Sequence, residues 1–276
     1  MLALPVVQIG SVSMDGAEPV LMLGPCVIES EEFIWSVAEQ LNGIAKKHHW
    51  RWIMKASYDK ANRSAISSYR GLGCAEGCKL LAQIGAKFGV PVTTDVHSPE
   101  EARIAAEFID LLQIPAFLCR QTDLITAAGE TGRAVNVKKG QFMAPWDVKN
   151  IGDKLTSVGC QNFMFTERGT TFGYNNLVAD MRSLYWMREL GYRCVMDATH
   201  SVQRPGGLGT ATGGDGKLAP VLARAAVAAG CDGVFMETHP DPAKALSDGP
   251  NQIPLSQISS VVESLRKIHA IVKDID

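Results

Sequence analysis

The chain has 276 residues, 46% of them hydrophobic and 20% charged, with 26 Gly and 13 Pro. That composition supplies a large core and excludes disordered, collagen-like and mini-protein classes. Lys and Arg number 27 against 29 Asp and Glu, a formal charge of −2, so the basic excess of a nucleic-acid binder is missing and no such partner is expected.

In chain order, residues 1–19 (beginning MLALPVVQIGSVS) carry no basic export-signal region and are expected to form a short extension over the bottom of the fold. The first apolar run, Val20 to Ile28, is followed by a helical pattern from Ser30, with Glu31 and Glu32 in its first turn. Further apolar runs are Trp52 to Ser57, Val92 to Val96, Leu111 to Pro115, Ala134 to Val137, Asn162 to Thr166, Cys194 to Ala198 and Gly233 to Glu237. Stretches long enough for a helix separate them, among them Val178 to Leu190 and Leu218 to Ala229, and a pattern from Leu255 to Val272 closes the chain. Between the last two strands, Gln203 to Lys217 (QRPGGLGTATGGDGK) forms a glycine-rich connection. It fits neither a P-loop nor a dinucleotide fingerprint and reads equally as a cover over a water-sensitive reaction or as a floppy loop.

Short runs that are apolar throughout suit parallel strands buried on both faces. Eight of them, each followed by a helical stretch, predict an α/β fold: a single-domain (β/α)8 TIM barrel over residues 1–276. An open doubly wound sheet is the rival, weakened because no GxGxxG opens a helix after the first strand. No apolar run is long enough to span a membrane. The seven cysteines (Cys26, Cys74, Cys78, Cys119, Cys160, Cys194, Cys231) are odd in number and dispersed, which argues against a disulfide framework. A soluble, reduced, cytoplasmic protein is expected. On that reading the glycosylation pattern Asn62-Arg63-Ser64 is coincidental.

In such a barrel the functional groups gather at the carboxyl ends of the strands. Those ends carry Cys26; Lys55 and Lys60; Asp95 and His97; Gln113; Lys138 and Lys139; Glu167 and Arg168; Asp197 and His200; and Glu237 and His239. Singly, each is as readily a solvated strand end. Together they form two sets with a chemical logic. Lys55, Lys60, Arg63, Arg120, Lys138 and Arg168 would make a positive field for anions, and six cations suit two phosphorylated ligands better than one. Cys26, His200, Glu237 and Asp248 meet only if the barrel closes, and they offer a borderline-soft site for Zn, Fe, Mn or Co in preference to Mg.

The segments GPCVIES (24–30), KASYDKANRS (55–64), TDVH (94–97), LLQIPAFLCRQTDL (111–124), NVKKGQF (136–142), FTERGTTFGY (165–174), MDATHSVQ (196–203) and METHPDP (236–242) resemble the 3-deoxy-D-manno-octulosonate 8-phosphate synthase family. The match runs in order from about residue 20 to 260. The resemblance implies a (β/α)8 barrel, usually a homotetramer. It also implies a condensation of phosphoenolpyruvate with arabinose 5-phosphate and water for lipopolysaccharide synthesis. Heptulosonate 7-phosphate synthases carry a Lys-Pro-Arg-Thr-type motif where this chain has Lys60-Ala61-Asn62-Arg63-Ser64, which makes them the second choice.

Carried over by motif, Lys55, Lys60, Lys138 and Arg168 would hold phosphoenolpyruvate. Asn62, Arg63 and Ser64 would bind the pentose phosphate, with Arg120 coming from a neighbouring subunit, while Asp95 and Gln113 contact substrates deeper in the barrel. Lys60, Asp95, His200 and Asp248 are the residues expected to take part in the chemistry. Cys at the GPC position, with His200, Glu237 and Asp248, matches the metal-dependent branch. A Schiff-base aldolase using Lys138, and a phosphosugar-binding barrel without catalysis, are the remaining alternatives.

Overall fold

The computed structural model describes residues 4–62, 65–207 and 213–273. Its central sheet has eight parallel strands: β1 (Val20–Gly24), β2 (Trp52–Lys55), β3 (Val92–Asp95), β4 (Leu111–Ile114), β5 (Ala134–Lys138), β6 (Phe163–Glu167), β7 (Cys194–Asp197) and β8 (Gly233–His239). After them in turn come α1 (Glu31–His48), α2 (Cys74–Phe88), α3 (Pro99–Ala106), α4 (Thr122–Glu130), α5 (Val148–Ser157), α6 (Arg182–Glu189), α7 (Ala219–Ala228) and α8 (Leu255–Val272). The ring closes where β8 pairs with β1 from Gly233↔Val20 to Glu237↔Gly24 and with β7 from Val195↔Gly233 to Asp197↔Phe235. The expected (β/α)8 barrel is what the chain forms.

Local chemistry explains the helix ends. The Ser30 hydroxyl accepts from Phe33 N at 3.1 Å and caps α1, with Glu31 and Glu32 complementing the positive end of the helix dipole. Ser98 caps α3 in the same way, with Pro99 at the first helical position. In α8 the buried residues Leu255, Ile258, Val261, Val262 and Leu265 recur at helical spacing and face the sheet. One expectation needs correction. The Val178 to Leu190 stretch is helical only from Arg182, because Leu177–Val178 pairs antiparallel with Thr170–Thr171. Asp180 then opens the helix by accepting from Arg182 N at 3.0 Å.

Along each strand, alternate side chains point into the barrel. At its amino end those positions are apolar: Val20, Met22, Ile53, Leu111, Ala134, Met164, Val195 and Phe235 pack into one buried cluster. Val7, Ile9, Val12 and Met14 of the hairpin Val7–Ile9/Val12–Met14 complete that cluster, so the N-terminal extension plugs the barrel bottom as expected. The plug is pinned by Gln8 N to Asn162 Oδ1 at 2.7 Å and by Arg193, which donates to Pro5, Leu4 and Asp15 carbonyls. At the carboxyl end the inward positions turn polar. That switch leaves one end of the barrel for chemistry.

Candidate active site

Lys55, Asp95, Gln113, Asn136, Lys138, Asp197 and Glu237 face inward toward the carboxyl ends of their strands, and all are buried. Their polar groups satisfy one another. Thr166 donates to Asn136 at 2.7 Å, Asn136 to Gln113 at 3.2 Å, and Gln113 to Asp95, which also accepts from Ser57 at 2.8 Å. Lys55 pairs with Glu237 at 2.5 Å, Lys138 with Asp197 at 2.6 Å, and Lys60 with Asp95 at 3.6 Å. Burial alone would raise Asp95 and Asp197. Lys60, Lys55 and Lys138 around the first, and His200 and Lys138 around the second, hold both carboxyls well below their ordinary range. Glu237 resists the same push of burial and sits at about 2, because Lys55, His200 and Lys60 surround it. Burial pulls Lys138 below its ordinary value, with Asp197 opposing.

Closure brings Cys26, Glu237 and Asp248 together, with one donor atom from each within 4.8 Å of the others. His200 Nε2 lies 3.7 Å from both Glu237 Oε1 and Asp248 Oδ2, so it joins the group through the two carboxylates. Asp197 supports His200: Oδ1 accepts from the His200 backbone N at 2.8 Å, and Oδ2 lies 2.7 Å from Nδ1, off the ring N–H axis. The Thr199 hydroxyl donates to Asp197 at 3.1 Å and accepts from Glu237 N at 3.1 Å, tying β7 to β8 just below the group. Asp248 itself adopts a left-handed backbone, φ 50°. The GPC motif has a steric origin as well: a Cβ at Gly24 would lie 1.7 Å from the Lys55 carbonyl oxygen, so only glycine lets β1 approach β2 there.

These residues fit a divalent cation. A thiol, an imidazole and two carboxylates are borderline-soft donors, and Glu237 Oε2 is buried with no hydrogen-bond partner among the described residues. Burial, reinforced by the Glu237 carboxylate, pushes the Cys26 thiol far above its usual value. It therefore keeps its proton until a cation displaces it.

A cavity of about 1140 Å³ opens over this network. Lys55, Lys60, Asn62, Asp95, Gln113, Lys138, Arg168, His200, Glu237 and Asp248 all line it, as does His97. Of the six expected cations, Lys55, Lys60, Lys138 and Arg168 line it. Arg63 and Ser64 lie outside the described residues, as does the middle of the glycine-rich connection. Arg120 is exposed and does not line this cavity. Lys139 and Glu167 turn away from the opening and pair with each other at 3.5 Å. His239 is buried against Phe33, ring centroids 4.9 Å apart, with Nε2 3.4 Å from Glu29. Two contributors escaped the sequence reading. Ser247 accepts from Cys26 Sγ at 3.1 Å, and Gln203 bridges Arg168 and Asp248. Their only sequence signal is adjacency, beside Asp248 and three residues past His200.

Known proteins resemble the chain in sequence. The model of the DAHP synthetase I family matches residues 7–274. Proteins named 2-dehydro-3-deoxyphosphooctonate aldolase are similar over nearly the whole chain. The one from Geobacter sulfurreducens is 52% identical over 97% of this chain and 98% of its own. The one from Desulfatibacillum aliphaticivorans is 53% identical over 92% and 93%, and the one from a Cyanothece species 54% identical over 92% and 93%.

Proposed function

The chain belongs to the DAHP synthetase I family, and from that premise we propose that it condenses phosphoenolpyruvate with D-arabinose 5-phosphate and water. The products are 3-deoxy-D-manno-octulosonate 8-phosphate, for lipopolysaccharide biosynthesis, and inorganic phosphate. What carries this reading is the identity of 52% to 54% with the three octonate aldolases. In the reaction, C3 of phosphoenolpyruvate bonds to the aldehyde carbon, a water oxygen adds at C2, and the C2–O bond breaks as phosphate leaves.

The residues at the cavity divide that task. Lys55, Lys60, Lys138 and Arg168 hold the carboxylate and phosphate of phosphoenolpyruvate. Buried Arg168 Nη1 has no hydrogen-bond partner among the described residues and is open to an oxyanion. Asn62, Arg63 and Ser64 take the pentose phosphate, and Asp95 and Gln113 contact the substrates lower down. Holding both reactants in line lowers the barrier by about 7–11 kcal/mol. Lys60 Nζ donates to the aldehyde oxygen as it becomes an alkoxide. Bound at Cys26, His200, Glu237 and Asp248, a divalent Zn, Fe, Mn or Co ion supplies Lewis-acid polarisation and orientation of an oxygen.

The working form is a cytoplasmic homotetramer. The seven unpaired thiols suit a reducing compartment, and exposed Arg120, outside its own cavity, suits a neighbour's pentose phosphate. No helix among the described residues is long and apolar enough to cross a membrane.

The acceptor test compares arabinose 5-phosphate with erythrose 4-phosphate in phosphoenolpyruvate-dependent phosphate release. Turnover with the pentose at least tenfold faster supports the octulosonate product; preference for the tetrose would move the chain to the heptulosonate reaction. The lowered basicity of Lys138 favours the Schiff-base rival. Borohydride reduction in the presence of a carbonyl substrate is expected to leave no adduct on that lysine.

A further inference from the structure

Gln203 sits at the root of the glycine-rich connection, and none of the roles above uses it. Its side chain is only 8% exposed, and both ends of the amide are engaged. Oε1 accepts from Arg168 Nη2 at 2.6 Å, and Nε2 donates to Asp248 Oδ2 at 3.1 Å. Only one assignment of the amide gives the guanidinium an acceptor and the carboxylate a donor, so the two bonds fix its orientation. The backbone is held as well. Gln203 pairs with Gly214, and Asp215 N donates to Val202 O at 3.0 Å.

We propose that Gln203 is a positioning residue, its one amide holding the Arg168 guanidinium ready for an oxyanion and the Asp248 carboxylate ready for a cation. The inference rests on the phosphoenolpyruvate and metal assignments above. It predicts that losing both hydrogen bonds of the Gln203 amide weakens two ligands that do not share a contact residue. Because the glycine-rich connection starts at this residue, its root is braced against both binding groups.

The test has two arms on the full-length protein. Phosphoenolpyruvate is titrated calorimetrically in the presence of chelator, and Co²⁺ is titrated into chelator-stripped protein with no anion present. Gln203→Met keeps the size and removes both hydrogen bonds, so each affinity is expected to fall roughly tenfold, the lower end of what outer partners of metal ligands contribute. Gln203→Glu gives Arg168 an internal carboxylate that competes with phosphoenolpyruvate, and adds a third carboxylate to Glu237 and Asp248 beside the cation. Anion affinity falls again, but Co²⁺ binds no more weakly than to the wild type. A merely loosened fold would weaken both ligands in both variants. Gln203→Met within twofold of wild type on both arms would overturn the inference, as would Gln203→Glu losing Co²⁺ as severely as Gln203→Met. Wild-type protein that takes up no Co²⁺ would instead sink the metal assignment and the Asp248 half of the inference, while the anion arm still rules on Arg168.

Discussion

Asp197 is wholly buried between Lys138 and His200. Removing its charge leaves the buried Lys138 ammonium uncompensated, so Asp197→Asn is expected to cost about 3–5 kcal/mol in urea unfolding. Cys26 makes a different kind of contribution. Its thiol touches Ser247 and Asp248, and Cys26→Asn is expected to leave the folding midpoint nearly unchanged while bound metal, measured by elemental analysis, drops. Unchanged metal occupancy would remove Cys26 from the ligand set. A third residue prediction concerns pH. Glu101 accepts from the His97 ring at 3.0 Å, from Tyr58 at 2.8 Å and from His97 N at 2.8 Å, and these bonds hold its carboxyl at about 2. A carboxyl depressed on folding contributes stability that is present above its unfolded value near 4.5 and is lost as pH falls through about 2. Unfolding free energy should therefore decline between pH 5 and 2 less steeply in Glu101→Gln than in wild type, by on the order of 2 kcal/mol. Parallel declines would show that Glu101 has no such role.

At the scale of elements, the strands were the legible part of the sequence. Runs such as Val20 to Ile28 are apolar throughout because both faces of a barrel strand are covered, and each of the eight runs overlaps one barrel strand. Period-two alternation carried more than was read from it: Lys138 points inward to Asp197 while Lys139 points outward to Glu167, although both stand at the same strand end. Helical periodicity in Val178 to Leu190 could not reveal that its first residues pair with Thr170–Thr171, since that hairpin depends on register, not on pattern. In the site, Cys26, Glu237 and Asp248 were readable from residue type and closure. Ser247 and Gln203 were not, because a serine or glutamine in a loop carries no chemical signature until its partner is in view. The N-terminal hairpin belongs to the bottom of the barrel and not to the site. Ile9→Ala, removing a fully buried side chain, is expected to destabilise by about 2–5 kcal/mol in urea unfolding without altering the KM for either substrate.

For the whole molecule, charge balance decides whether the cavity can take two phosphorylated ligands. Five cations line the cavity (Lys55, Lys60, Lys138, Arg168 and Lys217) against three carboxylates (Asp95, Glu237 and Asp248), with Asp197 buried behind Lys138, so the network brings an excess of one positive charge. The overall charge of −2 adds none. A divalent cation at the meeting point of β1, β7 and β8 would strengthen the positive potential that oxyanions require. Ring closure is thus what links fold to reaction, because it alone brings the first strand's thiol to the last strand's carboxylates.

The most direct measurement follows arabinose 5-phosphate-dependent phosphate release from phosphoenolpyruvate, before and after stripping with a strong chelator and on return of Mn²⁺, Co²⁺ or Zn²⁺. Activity should vanish on stripping and return with at least one of the three ions. Full turnover in metal-free, chelator-treated protein would contradict the account.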